Sequence, residues 1–408
     1  MKRMRTAWFS CALAASLVGG CGGATGATLD TAASGAVSSG GAAGWHAGAT
    51  SLAGSPSAGG SGNHSGGDNS NVAGTPSDTC AVADLDGLSV FSGDTWDPLG
   101  YPPYALERCT LVYVAPANGG GALHLRNLAT GEDSELEPAE SHARRPSLAG
   151  GVIAWEVGDF AQSQVRVRYE GTTQTLSGAF DHAGEPRVAP DAVVFTAFLG
   201  PNPTDDTDVY LYRVATEQLT GVAVGPGQQR FADVSRTHVA VTDFSEDPRG
   251  YFDQFDSIAD VVTIDRDSDV ATPRKRAGKQ AFPLLTDQGA LAYLDWGAVH
   301  PEPKFSQFGL RLGQLGAPVD ADIDVTPEPI HTDPAYVRPS LHGSHLDFVD
   351  TRTGVIGLYS FTLASGEPAT LTPIAGSPQL FGPVATDAMT LISRPLQGQT
   401  LALTAVAR

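Results

Sequence analysis

Few side chains in this 408-residue chain are placed to do chemistry. Thr204-Asp205-Asp206-Thr207-Asp208 gathers three carboxylates within reach of one hard cation such as Ca²⁺. The run has neither the spacing nor the glycine of a calcium loop, and Asp208 reads more simply as the start of a strand. His342-Gly343-Ser344-His345 has the composition of a metal pair, yet it falls where a sibling segment, Ala149 to Val152, makes a hairpin turn. There is no G-x-S-x-G elbow, H-E-x-x-H helix, P-loop or dinucleotide fingerprint. No cofactor is indicated, with Ca²⁺ the one ion that the acids would draw.

Three other stretches combine rings with acids: Ala197 to Thr207, Asp243 to Ala259 and Asp295 to Phe308. They carry Phe198, Phe244, Tyr251, Phe252, Phe255, Trp296, Phe305 and Phe308, with Asp205, Asp206, Glu246, Asp247, Asp253 and Asp256. Exposed aromatic faces beside polar groups make a recognition surface for a protein or glycan. Carboxylates beside stacked sugars are also the groups that carry out glycoside cleavage. Alternatively, the same rings pack on one another and cap the strands beneath them.

The elements that must position these stretches are short strands. Low charge (17%) with 48 Gly and 28 Pro argues for many turns between strands and against long surface helices. Arg145 to Glu156, RPSLAGGVIAWE, reads as a hairpin: an apolar run, a Gly-Gly turn and a strand Val-Ile-Ala-Trp. Comparable segments begin at Tyr104, Pro146, Pro186, Ala232, Pro283, Pro339 and Pro383. A second hairpin follows most of them, for example from Val165, Asp208 and Ile356, alternating apolar and polar residues into a turn. Strand-bearing units recurring every 40 to 56 residues are the signature of propeller blades.

The expected fold is therefore all-β: a propeller of seven four-stranded blades, with six as the alternative count. The seventh unit has room for only one hairpin and a last strand, Thr400 to Val406. A ring must close to avoid an exposed edge, and Leu88 to Phe91 is the segment available to supply the missing strand. Trp155 then belongs between blades.

The third unit, through Arg187 to Asp191 and Asp208 to Tyr212, resembles the TolB-type propeller repeat. That repeat has the pattern P-x-x-S-P-D-G, an apolar strand, then D-I-Y-x-x-D-x-x-T-G. Pro190-Asp191 keeps its turn dipeptide, while Ala192 stands in place of the glycine. The resemblance runs from about Tyr104 onward and implies the fold, not an activity, because propellers host unrelated functions.

Residues 1–20 follow the plan of an export signal, with Lys2, Arg3 and Arg5 ahead of an apolar run from Ala7 to Val18. The run ends Leu17-Val18-Gly19-Gly20-Cys21-Gly22, which resembles the bacterial lipobox, with Val18 where the family usually has Leu. The resemblance implies that Cys21 is lipidated and becomes the N-terminus, and that Gly22 after it directs the chain to the outer membrane. The alternative is ordinary signal cleavage further on, after Ala24 or Ala27.

Residues 21–78 are almost entirely Gly, Ala, Ser, Thr and Asn, too poor in apolar groups to offset the entropy of ordering, and read as a disordered tether. Its expected span is about 40 Å. His46 and His64 lie within it and are not ligand candidates.

The folded domain is then 79–408, and its two cysteines, Cys80 and Cys109, pair as expected of an exported chain. The bridge closes a loop of about 30 residues, worth about 3 kcal/mol on the loop-entropy account.

Net charge is -20, and loss of the signal removes three basic residues and no acid. Such a surface disfavours nucleic acid as a partner. The expected function is a lipid-anchored envelope scaffold that binds an unidentified protein or glycan through the three long loops. The alternative is a surface hydrolase or lyase acting on a glycan with carboxylates at the channel mouth.

Overall fold

The computed structural model describes residues 80, 85, 88–91, 101–118, 120–159, 162–178, 180, 182–200, 202, 205–251, 257–297, 308–326, 338–343, 345–350, 357–362, 368–373, 383–386, 388–395 and 400–407. Cys21, the signal and the tether lie outside the described residues, as do Phe252, Asp253, Phe255 and Phe305.

Twenty-eight strands form seven antiparallel sheets of four, a seven-bladed propeller. The inner strands of blades 1 to 7 are Tyr104–Glu107, Arg144–Ala149, His182–Ala189, Gln229–Val234, Gln280–Leu285, Ser340–His342 and Val384–Ala385. Six blades take their strands consecutively from the chain. The seventh takes Val384–Ala385, Met389–Pro395 and Thr400–Ala407 from the end, and Ser89–Phe91 from the beginning. Val90 pairs with Leu401 in that sheet, so the segment expected to close the ring does so.

Composition explains the radial order. The second strands Val152–Val157 and Ala290–Asp295 are buried at every residue, since neighbouring blades cover both of their faces. The outer strand Thr172–Thr175 is exposed along its length and has no apolar residue. Trp155, wholly buried, sits in a cluster with Val112, Val114 and Leu123 of blade 1 and Ile153 and Val157 of blade 2, joining the two sheets. The Cys80–Cys109 disulfide fastens the segment ahead of the closing strand to blade 1.

In blades 2 to 5 the inner strand carries a bulge at the same place, between Arg144 and Ser147, Gly184 and Arg187, Arg230 and Asp233, and Ala281 and Leu284. Each bulge holds a non-glycine residue in the left-handed region: Arg145 (φ 52°), Glu185 (φ 58°), Phe231 (φ 54°) and Phe282 (φ 59°). That conformation costs on the order of 1–2 kcal/mol per residue, and a bulge re-aims the side chain it carries. Four repetitions around the ring place these side chains near the axis.

Candidate functional site in the central channel

The bulges deliver a buried layer that crosses the channel. The Arg338 guanidinium lies 3.7 Å from the ring centroid of Tyr101, 4.5 Å from that of Phe282 and 5.5 Å from that of Phe231. Arg145 reaches the same Tyr101 ring at 5.1 Å, and Arg230 lies 4.9 Å from Phe231. Arg145 of blade 2 and Arg338 of blade 6 thus meet over Tyr101, which precedes blade 1, and Arg338 also reaches Phe231 of blade 4 and Phe282 of blade 5. Planar guanidinium groups stack on aromatic faces, which fixes their orientation.

Two buried carboxylates hold the arginines. Glu156 pairs with Arg144 and Arg145 and accepts the backbone N–H of Glu185 at 3.2 Å. Glu185 pairs with Arg230 and accepts the Phe231 N–H at 3.3 Å and the Thr196 hydroxyl at 3.1 Å. In the next blade Thr242 accepts the Phe282 N–H at 3.1 Å. Each bulge breaks its own ladder, and in blades 3 to 5 a side chain of the preceding blade accepts the N–H so released. Gly184 is required here: a Cβ would come 2.5 Å from the Glu156 carboxylate.

Burial works to raise the pKa of both acids, yet the arginines outweigh it. Arg145 and Arg144 hold Glu156 below the ordinary carboxylate range, and Arg230 and Arg145 do the same for Glu185. Acids locked in this way position cations and do not donate protons near neutrality.

Below the layer the channel opens into a cavity of about 380 Å³, lined by all seven inner strands and their turns, with Arg338 and Arg187 among its charged walls. Arg187 donates its Nε to Asp233 at 3.2 Å, and Asp233 also accepts the Leu285 N–H at 2.7 Å. The lining thus mixes two arginines with three carboxylates, Glu107, Asp233 and Asp287.

The described residues of the three loop stretches singled out in the sequence lie on the opposite face, where second strands end and blades connect, whereas His342 lines the cavity. Phe244 and Phe308 have 0% and 1% of their surface exposed and Trp296 has 8%. Phe308 packs on Trp296 at 5.5 Å, Phe244 on Phe231 at 6.3 Å, and Lys279 lies over Trp296 at 4.6 Å. These three rings are core, and buried surface is not offered to a ligand. Phe198 is half-buried, with its ring 4.2 Å from His182 and 5.1 Å from Arg230. Tyr251 is half-buried beside Arg249. Asp205 staples its own loop, accepting from the Asn202 N–H and side-chain amide at 2.8 and 3.0 Å, while Asp206 is exposed.

Asp208 and Asp260 occupy equivalent places at the start of their third strands, opposite Ala197 and Asp243. Burial, with Asp206 nearby, pushes Asp208 up to about 6. Burial, with Glu246 and Asp243, pushes Asp260 up to about 6 against the pull of Lys275. No cluster of three His, Cys, Asp or Glu able to hold a metal occurs among the described residues. His342 and His345 face each other across a hairpin turn.

The arginines of the channel were missed in the sequence, although one signal is there. Arg-Pro-Ser-Leu occurs twice, at 145–148 and 338–341, at the same point of blades 2 and 6. It marks both Arg145 and Arg338, which meet over Tyr101.

The fold and its channel define the class: a closed seven-bladed β-propeller. Neither a family profile nor a curated protein matches the chain. Solved propellers do. The β-propeller domain of the trilobed protease from Pyrococcus furiosus superposes with a TM-score of 0.53 at 13% identity, over 74% of this chain and 93% of that one. An oligogalacturonate lyase in complex with manganese gives 0.51 at 13% identity, over 79% and 90%. TolB from Acinetobacter baumannii gives 0.44 at 13%, over 73% of this chain and 66% of that one, so the match takes in only part of TolB. At such identities the likeness is one of fold.

Proposed function

We propose that the chain is a lipid-anchored propeller of the cell envelope that binds a protein or glycan partner through the face carrying the long loops of blades 3 to 5. The observation that carries this reading is the placement of exposed apolar side chains. Leu199 (53% exposed) and Ile258 (44%) lie in the loops between second and third strands of blades 3 and 4. Val224 (47%) lies in the connection between those two blades. Antiparallel pairing puts all three on one face, beside Asp205, Asp206 and Glu246. Apolar side chains grouped among acids form a patch suited to association. The lipobox-like run ending at Cys21 and the tether after it would hold that face clear of a membrane.

The glycan-cleaving alternative draws less support, because the acids of the channel are already engaged: Glu156 and Glu185 in the buried layer and Asp233 in the cavity by arginines, Glu107 by the Gly150 and Gly151 N–H groups, and Asp287 by Arg236.

The test is crosslinking of the full-length chain in its native envelope, comparing it with a Leu199→Asp, Ile258→Asp double variant and with Cys21→Ser. The double variant is expected to lose its crosslinked partner while remaining in the membrane fraction. Cys21→Ser is expected to leave that fraction. An unchanged partner set would sink the loop-face assignment, and retention of Cys21→Ser in the membrane would sink the anchor.

A further inference from the structure

The exposed apolar residues of the loop face are joined into one surface by bonds that cross from blade 3 to blade 4. Gln228, in the connection between the two blades, donates its side-chain amide to the Asp205 carbonyl and its backbone N–H to the Gly250 carbonyl, each at 2.7 Å. Gly227 lies so close to the blade 4 loop that a Cβ would come 3.1 Å from the Gly250 carbonyl oxygen and 3.3 Å from Ser245. Each exposed apolar residue also rests on an acidic one. The Leu199 N–H bonds to the Asp206 carbonyl at 2.9 Å and the Ile258 N–H to the Asp247 carboxylate at 2.7 Å. Gly225, next to Val224, bonds to the Asp208 carboxylate at 3.3 Å.

The charges in and just beneath this surface do not balance. Asp205, Asp206, Asp208, Asp243, Glu246, Asp247 and Asp260 stand against two bases, Arg249 and Lys275. Arg249 is taken by Asp247, and Lys275 by Glu246, with Asp260 4.0 Å away. Asp205, Asp206, Asp208 and Asp243 have no basic side chain as partner among the described residues; the Asn202 and Gln229 amides serve Asp205 and Asp243. Arg276 and Lys279, further round towards blade 5, are occupied by Asp295 and the Trp296 ring. Asp208, near Asp206 and Tyr210, is pushed up to about 6 by burial, with one backbone N–H, of Gly225, to offset it. Asp260, near Glu246, Asp243 and Lys275, is pushed up to about 6 in the same way. A cation arriving over these two acids favours their charged forms.

We propose, building on the loop-face reading, that the partner of this face is a protein segment mixing apolar side chains with lysine or arginine. Its apolar side chains cover Leu199, Val224 and Ile258. Its cations face Asp205, Asp206 and Glu246, with Asp208 and Asp260 beneath. Charge complementarity of this kind selects the partner and suppresses wrong ones. The same acids repel anionic lipid headgroups, and a neutral glycan brings no charge for them to meet.

The test is calorimetric titration of the purified full chain with short peptides of alternating lysine and leucine, glutamate and leucine, and lysine and serine. The lysine–leucine peptide is expected to bind at least tenfold more tightly than either of the others. It should bind more weakly at about pH 5 than at about pH 7.5, since its lysines stay charged while Asp208 and Asp260 take up protons. Asp205→Asn, Asp206→Asn and Glu246→Gln in one chain should weaken it at least tenfold at an unchanged melting temperature. Glu132→Gln, Glu135→Gln and Glu140→Gln, which remove the same charge from exposed positions on and beside blade 1, should not. Failure of the lysine–leucine peptide to bind, equal binding of either other peptide, equal weakening by the two triple variants, or affinity that does not fall with acid would each overturn the assignment. Crosslinking in the native envelope separates this failure from that of the loop face. A partner lost in Leu199→Asp, Ile258→Asp but kept in the loop-face triple variant leaves the loop face standing and overturns the basic partner. A partner kept in both overturns the loop face, and the basic partner with it.

Discussion

Glu185 of blade 3 and Phe231 of blade 4 share one hydrogen bond, from the Phe231 N–H to the buried carboxylate at 3.3 Å, while the same acid pairs with Arg230. The bulge that turns Phe231 toward the axis thus has its released N–H satisfied by the neighbouring blade. Removing the charge with Glu185→Gln leaves Arg230 buried without its counterion. Loss of one partner of a buried pair costs about 3–5 kcal/mol. A drop of that size is expected in chemical denaturation, whereas Glu140→Gln, at the surface, should change stability by less than about 0.5 kcal/mol.

The acids divide into two sets with opposite pH behaviour. Asp208 and Asp260 are raised to about 6 in the folded chain, above their unfolded values, so the fold disfavours their charged forms. Their effect is destabilising at neutrality and fades as pH falls through about 6. Glu156 and Glu185 are lowered, so what they contribute is present above the unfolded carboxylate range and is lost as pH falls through their folded values. The melting temperature is therefore expected to rise from pH 7 to about 5 and to fall steeply in more acid solution. Asp208→Asn with Asp260→Asn should flatten the rise and leave the acid limb in place.

Ring closure rests on three residues, Ser89–Phe91, and the Cys80–Cys109 bridge keeps them close to their partner strand. Replacing both cysteines with alanine is expected to cost about 3.5 kcal/mol by the loop-entropy account, since 29 positions separate them. Deleting 88–91 removes buried Val90 and exposes the edge of Thr400–Ala407. Hydrogen exchange should then show Thr400–Ala407 opening first, and size-exclusion chromatography should show self-association through the bare edge. Protection in that strand equal to the parent's would contradict closure by the N-terminal segment.

Much of this architecture was legible in the sequence. Blade number, the closing strand and the inter-blade place of Trp155 follow from periodic hairpins and from the need to close the ring. The channel was not. Arg145, Phe231 and Phe282 reach Arg338 and Tyr101 from positions on bulges, and an alternating pattern says nothing of a bulge. The loop rings were misleading for a related reason. Asp243 accepts the Ser245 N–H and Asp295 accepts the Gly297 N–H, tight turns that carry the chain on past the strand ends. The Phe244 N–H then bonds to the Gln228 carbonyl and the Trp296 N–H to the Lys279 carbonyl. Both rings therefore extend the ladder inward where the sequence reads as loop.

That geometry separates two kinds of substitution on one face. Phe244→Ala and Trp296→Ala each empty a buried site, and loss of a large buried ring costs about 3–5 kcal/mol. Leu199→Ser and Ile258→Ser alter exposed side chains, for which changes within about 0.5 kcal/mol are usual. Urea denaturation of the four variants should split them two and two, with midpoints lowered only for the ring variants. Partner crosslinking should show the reverse order among variants that remain folded, with the serine pair weakened. If Trp296→Ala were as stable as the parent, its ring would not be core, and the loop of blade 5 would return as a candidate contact surface.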